Sequence, residues 1–261
     1  MRSLVLLAAL CAAAPALADS TPTEDPVETP ISVPSSVPVG FLVAWKPTII
    51  SVRIDRGRGS QFGSDTFEAL RGLGRYTTTL FGEKLLARAE IEGGQFRTDT
   101  QGSNLGSNGF DVTARILGGT ATRINQGLTV TASGGLITRY QRGTEAQGGA
   151  PRIGILGITS NLEFEFRVAP VVTMSAFLEG GLAPIAYGTQ PNVGVLSDAS
   201  ELRLRLQISI DVSPRTAIDV GYDFTRWHAS FAGSTVLSTT PDALLLEARE
   251  HALTLGVRWK P

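Results

Sequence analysis

Residues 201–213 read ELRLRLQISIDVS, in which Leu202, Leu204, Leu206, Ile208, Ile210 and Val212 alternate with Arg203, Arg205, Gln207, Ser209 and Asp211. Side chains on a strand point to opposite faces with a period of two, so the stretch is predicted to be extended, with one apolar and one charged face. A helix would scatter both sets around its axis. About 11 residues at 3.3 Å each are enough to cross a bilayer's hydrocarbon at a tilt of ~45°. The pattern recurs. Leu162, Phe164, Phe166 and Val168 alternate with Glu163, Glu165 and Arg167, and Leu85, Ala87, Ala89 and Ile91 with Arg88, Glu90 and Glu92. Phe110, Val112, Ala114 and Ile116 likewise oppose Asp111, Thr113 and Arg115, while Leu128, Val130, Ala132 and Leu136 oppose Thr129, Thr131 and Ser133. Val172, Met174, Ala176 and Leu178 oppose Thr173, Ser175 and Glu179. Two segments are less regular. The first contains Pro47, which lacks a ladder donor and so marks a bulge or leaves residues 49–55 as the strand; the second spans residues 70–80.

The breaks between these runs come in two kinds. Residues 81–83, 125–127, 169–171 and 213–215 are short, and their centres Gly82, Gln126, Pro170 and Pro214 are evenly spaced. One step back reaches Pro38 and one step forward Arg258, dividing the folded part into five equal units without a residue-level repeat. Within each unit lies a longer polar break, at 57–65, 98–109, 143–150, 188–199 and 233–242, dense in Gly, Ser, Asn, Thr or Pro. Short turns at one end and longer loops at the other are the asymmetry of membrane barrels, with turns periplasmic and loops outside. Five hairpins therefore predict an all-β fold, an antiparallel up-and-down transmembrane β-barrel of about ten strands, the alternation alone allowing roughly eight to twelve.

A soluble barrel with its apolar face inward would show the same period. Three features favour the membrane. Aromatics gather near the strand ends, with Phe96, Phe110, Tyr140, Tyr187, Trp227 and Phe231 by the long breaks and Trp45, Phe81, Phe166 and Trp259 by the short ones. Such belts match the girdles at the two bilayer interfaces. The polar face carries too many small and charged residues for a soluble surface backed by a dry cavity. In the last segment, Leu253, Leu255, Val257 and Trp259 share a face and end on an aromatic. That ending is similar to the C-terminal signal by which the barrel assembly machinery recognises outer-membrane proteins, although Lys260 and Pro261 follow the aromatic. Residues 39–261 as a whole resemble the small bacterial outer-membrane β-barrel family. The resemblance implies residence in the outer membrane, contact with its lipid and lipopolysaccharide, and handling by the assembly machinery.

Composition refines the address. Met1-Arg2-Ser3, an apolar run from 4 to 14 and Ala16-Leu17-Ala18 form an export signal, with cleavage expected after Ala18, so residues 1–18 stand outside the fold. The run is shorter than the ~20 residues of a spanning helix. Cys11, the one cysteine, lies inside it; lipidation there would place the large Leu10 where lipoprotein signals carry a small residue. Without a thiol the mature chain builds no disulfide or thiolate site, and no cofactor or metal is expected. Residues 19–38, rich in Pro, Ser, Thr and acidic groups, read as a disordered periplasmic tail. A net charge of −1 and the lack of a basic cluster argue against nucleic acid.

With the apolar face toward lipid, Arg53, Arg88, Glu90, Glu92, Arg115, Arg139, Glu163, Glu165, Arg167, Glu179, Arg203, Arg205, Asp211, Asp219, Asp223 and Arg258 point into the lumen. Their signs are mixed and adjacent, which predicts a web of ion pairs in a structural barrel or, at most, a narrow low-conductance pore with loops available to unidentified partners. Ten-stranded surface proteases of the omptin family use an acidic pair and an Asp-x-His element, and this chain contains neither Asp-x-Asp nor Asp-x-His. An alternative is the pair His228 and Ser230, which resembles the His-x-Ser element of two outer-membrane lipid hydrolases, lipid A 3-O-deacylase and phospholipase A. Asp242 falls at the spacing of their third residue, but Phe231 stands where that family has asparagine. The resemblance implies His228 as base, Ser230 as nucleophile and Asp242 as the carboxylate fixing the tautomer. The other reading places His228, like His251, in the aromatic girdle as a rim residue on the lipid face near the loop end.

Overall fold

The structure, a computed structural model, describes residues 40–56, 60–81, 85–98, 107–143, 152–187, 195–232 and 244–260, and their side chains except at 52–56, 60–68, 96–98, 107, 108, 143 and 244. The expected signal and tail lie outside these residues. The strands are β1 (Gly40–Arg56), β2 (Ser60–Leu80), β3 (Leu85–Thr98), β4 (Ser107–Arg123), β5 (Leu128–Gly143), β6 (Ile153–Ala169), β7 (Val172–Tyr187), β8 (Val195–Ser213), β9 (Thr216–Ala232) and β10 (Leu244–Trp259). Each pairs antiparallel with its sequence neighbour, and β1 also pairs with β10, closing a ten-stranded barrel. Closure removes the sheet edge, so no strand presents an unpaired ladder to lipid. The seam starts on Gly40, whose φ of 141° and approach to Trp259 suit glycine, since a Cβ there would lie 1.9 Å from the Trp259 carbonyl oxygen.

The irregular segments differ from the sequence expectation. β1 runs unbroken through Pro47 and carries its register shift farther on, between Val52 and Ile54. Proline is tolerated because its missing donor falls on the β10 side, where pairing passes from Trp45 with Leu255 to Thr48 with Ala252 without a shift. β2 begins at Ser60, so most of the break at 57–65 is strand rather than loop.

Toward the short turns, polarity follows the alternation. Leu206 is 61% exposed on the outside while Arg203 is 1% exposed inside. Arg249 and Trp259 share the outer face of β10, and a strand tilted by ~40° climbs roughly 25 Å between them. That is the height of a lipid-facing band. Tyr222, Val220 and Ile218 of β9 are exposed within it, as are Leu253, Leu255 and Val257 of β10.

Toward the long breaks the polarity reverses. Along β9 the outward residues pass from Val220, Tyr222 and Phe224 to Arg226, His228 and Ser230, while the inward ones pass from Asp219 and Asp223 to Trp227, Ala229 and Phe231. Ile153, Ile155, Ala183, Ala199, Trp227, Ala229, Phe231, Leu246 and Ala248 form one buried apolar cluster inside this end. Trp227 and Phe231 are therefore not in the outer girdle that their place near a loop suggested. They are 2% and 1% exposed, turned inward because the barrel has here left the lipid and needs a dry core of its own.

Candidate functional site

Among the described residues, the lumen is where the fold gathers its buried charges. Alternate residues of every strand point into it, so charges separated widely in sequence meet across a narrow space. Arg203 of β8 donates to Glu90 and Glu92 of β3, at 2.5 and 2.9 Å, spanning the barrel's diameter. Arg139 of β5 makes a second crossing to Glu250 of β10, which also accepts from Arg71 at 2.5 Å. Lys46 pairs with Glu92 at 2.5 Å and with Asp223 at 3.0 Å, and Asp223 accepts from Arg205 at 2.6 Å. Arg115 joins Glu179 at 2.7 Å and Glu201, while Arg71 joins Asp111. Gly94 lets β2 and β3 come close beside that arginine, since a Cβ there would lie 2.0 Å from the Leu70 carbonyl oxygen.

A second tier lies nearer the short turns. Arg88 donates to Glu163 at 2.6 Å, Arg75 to Glu90 at 2.9 Å and Arg258 to Asp219 at 2.7 Å. Glu165 is buried beside them. A cavity lined by Arg75, Arg88, Glu163 and Arg258 measures about 10 Å³, room for roughly one water. Removing so many charges from water is sustained because most of these ions face opposite charges and hydrogen-bonding partners, whereas Glu165 keeps a buried carboxylate oxygen without a hydrogen-bond partner. Above the web, the Arg139 guanidinium sits 4.6 Å from the centre of the Trp227 ring, so a cation–π contact joins the charged tiers to the apolar cluster.

Several predicted positions are placed otherwise. Arg167 is exposed and donates to the Pro170 carbonyl at 2.6 Å, because β6 reaches its turn there and has left the lumen. Asp211 is a half-exposed rim residue paired with Lys260, at a register shift that ends the β8 alternation. The side chain of Arg53 lies outside the described ones. Lys46, Arg71, Arg75, Glu201 and Glu250 belong to the web although the sequence reading did not single them out, and Asp111, read there only as part of a polar face, belongs to it too. Lys46, Arg71 and Arg75 sit in the two segments whose alternation was hardest to read. Glu201 and Glu250 share the inward parity of Arg203 and Arg258, a signal available in the sequence.

His228 lies on the outer face above the lipid band. Its Nε2 is 3.9 Å from an Asp198 carboxylate oxygen and its Nδ1 3.8 Å from one of Glu247, so both nitrogens face carboxylates rather than Ser230. Asp242 lies outside the described residues. His251 is mid-strand rather than near a loop end, and its Nδ1 lies 2.6 Å from the Tyr222 hydroxyl on the lipid face. Leu253, Leu255, Val257 and Trp259 are all exposed on that face. Among the described residues no group of acidic, His and Cys side chains is placed to hold a metal ion.

A charged, filled lumen inside an apolar band defines an integral β-barrel of the outer membrane. No protein-family model matches the chain, and no curated protein matches it. Among solved structures it is similar to the outer membrane protease OmpT from Escherichia coli, at 9% identity over 87% of this chain and 99% of that one, with a TM-score of 0.47. The translocator domain of the autotransporter NalP from Neisseria meningitidis matches at 11% identity over 84% and 88%, with a TM-score of 0.46. Neisserial surface protein A matches at 11% over 85% and 97%, with a TM-score of 0.33. At such identities and scores these likenesses say nothing about activity, and the class rests on the barrel's own surface and interior.

Proposed function

We propose that the protein is a non-enzymatic structural barrel whose lumen is closed to solutes. The observation that carries this reading is the pair of diametric crossings, Arg203 to Glu90 and Glu92, and Arg139 to Glu250. Side chains that meet from opposite walls occupy the axis a solute would follow. The apolar cluster over the web adds a dry layer, and hydrated ions do not enter such a layer readily. The long breaks outside remain available to partners, and Leu253, Leu255, Val257 and Trp259 serve the assembly machinery during biogenesis. Planar-bilayer recording tests the closure. Purified protein inserted from detergent is expected to leave the membrane electrically silent, and stable single-channel steps would replace the structural reading with a narrow pore.

The rival reading is a lipid hydrolase on His228, Ser230 and Asp242. It requires fatty-acid release from phospholipid or lipid A by the purified barrel, abolished in Ser230→Ala, since loss of a nucleophile costs orders of magnitude in rate. The positions of Asp198 and Glu247 around His228 support an outer-surface charge cluster instead, and no release is expected from either protein.

A further inference from the structure

The outer wall is not uniform. Where β1 meets β10, the ladder gap at Pro47 coincides with a cleft of about 680 Å³ on the lipid-facing side. Trp45, Pro47, Ile49, Leu70 and Leu253 line it with apolar surface, and its size falls within the ~300–1,000 Å³ of ligand pockets. His251 and Tyr222 stand at its wall, hydrogen-bonded to each other at 2.6 Å. With the tyrosine hydroxyl as donor to Nδ1, the imidazole keeps its proton on Nε2, leaving a donor beside a site that water does not reach.

Directly above, one pleat along the outer face of β10 from His251, is Arg249. Its cross-strand partner on β9 is Arg226. Like charges placed opposite each other on one face of a sheet are unfavourable unless something compensates them. Glu247 reaches Arg226 at 3.6 Å but is shared with His228, and Arg249 has no ion pair among the described residues. The loop end of the band thus carries two adjacent cations on its β9–β10 side.

We propose that this seam is a binding site for one phosphorylated, acylated lipid of the outer leaflet, of the lipid A type. Phosphate bridges Arg226 and Arg249, the acyl-linkage carbonyl accepts from His251 Nε2, and a chain fills the cleft between Trp45 and Leu253. The order of groups along the wall, two cations, then a single donor, then an apolar notch, follows the order of groups in such a lipid from headgroup to tail. The arginines stand at the loop end of the band, which selects the outer leaflet. This site rests on the reading of the chain as an outer-membrane barrel, and it deepens the expected contact with lipopolysaccharide.

The test is native mass spectrometry of the full-length mature protein released from nanodiscs containing lipid A, phosphatidylglycerol and phosphatidylcholine in equal amounts. Wild type is expected to retain one lipid A, with phosphatidylglycerol at least tenfold less. R226Q/R249Q is expected to lose that preference by tenfold or more, and Leu253→Trp, which fills the cleft, to lose retention with the arginines intact. Equal retention of all three lipids by wild type overturns the site, as does unchanged retention in both variants. Preference for phosphatidylglycerol over lipid A reduces it to an unspecific phosphate contact and overturns the assignment of the lipid. Heat-modifiable migration of each protein on unboiled gels reports the barrel separately, so a failure of the barrel reading is distinguished from a failure of the site. Should the double variant not fold, the wild-type preference and Leu253→Trp still decide the matter.

Discussion

The two ends of the barrel are built from the same strands, yet they are inside-out relative to each other. In the lower part Leu206, Val220 and Leu255 face outward and Arg203, Asp219 and Asp223 inward; in the upper part Arg226 and Glu247 face outward and Trp227, Phe231 and Leu246 inward. The difference teaches that alternation on a strand records only which residues share a face. Which face is apolar is set by the medium outside, and the switch on β9 between Phe224 and Trp227 marks where lipid ends. In the lower part burial is of charge, sustained by mutual pairing; in the upper part burial is of apolar surface, driven by release of water.

Four substitutions test that contrast. Arg203→Ala removes the cation at the centre of the web and leaves Glu90, Glu92 and Asp223 short of a partner, with an expected loss of about 3–5 kcal/mol. The readout is the temperature at which the folded band disappears on gels, and an unchanged temperature would show that water replaces the guanidinium without cost. Trp227→Ala opens a hole in the upper core and is expected to cost about 3 kcal/mol by the same readout, in the range for large-to-small changes. If Trp227 were a girdle residue facing headgroups, the loss would be slight. Leu206→Arg places a cation on the lipid face near the middle of the band, at roughly 2–4 kcal/mol, and is expected to block assembly into the outer-membrane fraction. Ala232→Arg, on the outer face of β9 above the band, is expected to change stability by less than ~0.5 kcal/mol, as surface substitutions do. A loss at Ala232 equal to that at Leu206 would mean that lipid extends over the upper part and that the boundary is misplaced.

Much of the barrel was legible because the chain states its period plainly wherever one face meets lipid. The segments around Leu162, Leu202 and Leu253 alternate without interruption, and the evenly spaced turns gave the hairpin count. Pro47 misled because a proline in a strand is ambiguous until the side of its missing donor is known, and that depends on β10, about two hundred residues away in sequence. Trp227 and Phe231 misled for a related reason. An aromatic near a loop fits both an outer girdle and an inner core, and parity decides only after the boundary is placed. For His228, the nearby serine suggested a catalytic element, whereas the carboxylates that approach it come from β8 and β10.

The amino-acid sequence by itself determined that the chain forms about ten alternating strands in antiparallel hairpins, with charge gathered on one face, since side-chain parity and turn chemistry are local properties. Only the tertiary structure decided which charges meet. Closure brings β3 opposite β8 and β5 opposite β10, so that Arg203 reaches Glu90 and Arg139 reaches Glu250 across the lumen. Closure also joins β1 to β10, placing Pro47 beside Leu253 and so opening the outer cleft. Those pairings depend on the register carried around the whole ring, a sum over every strand that no single segment contains.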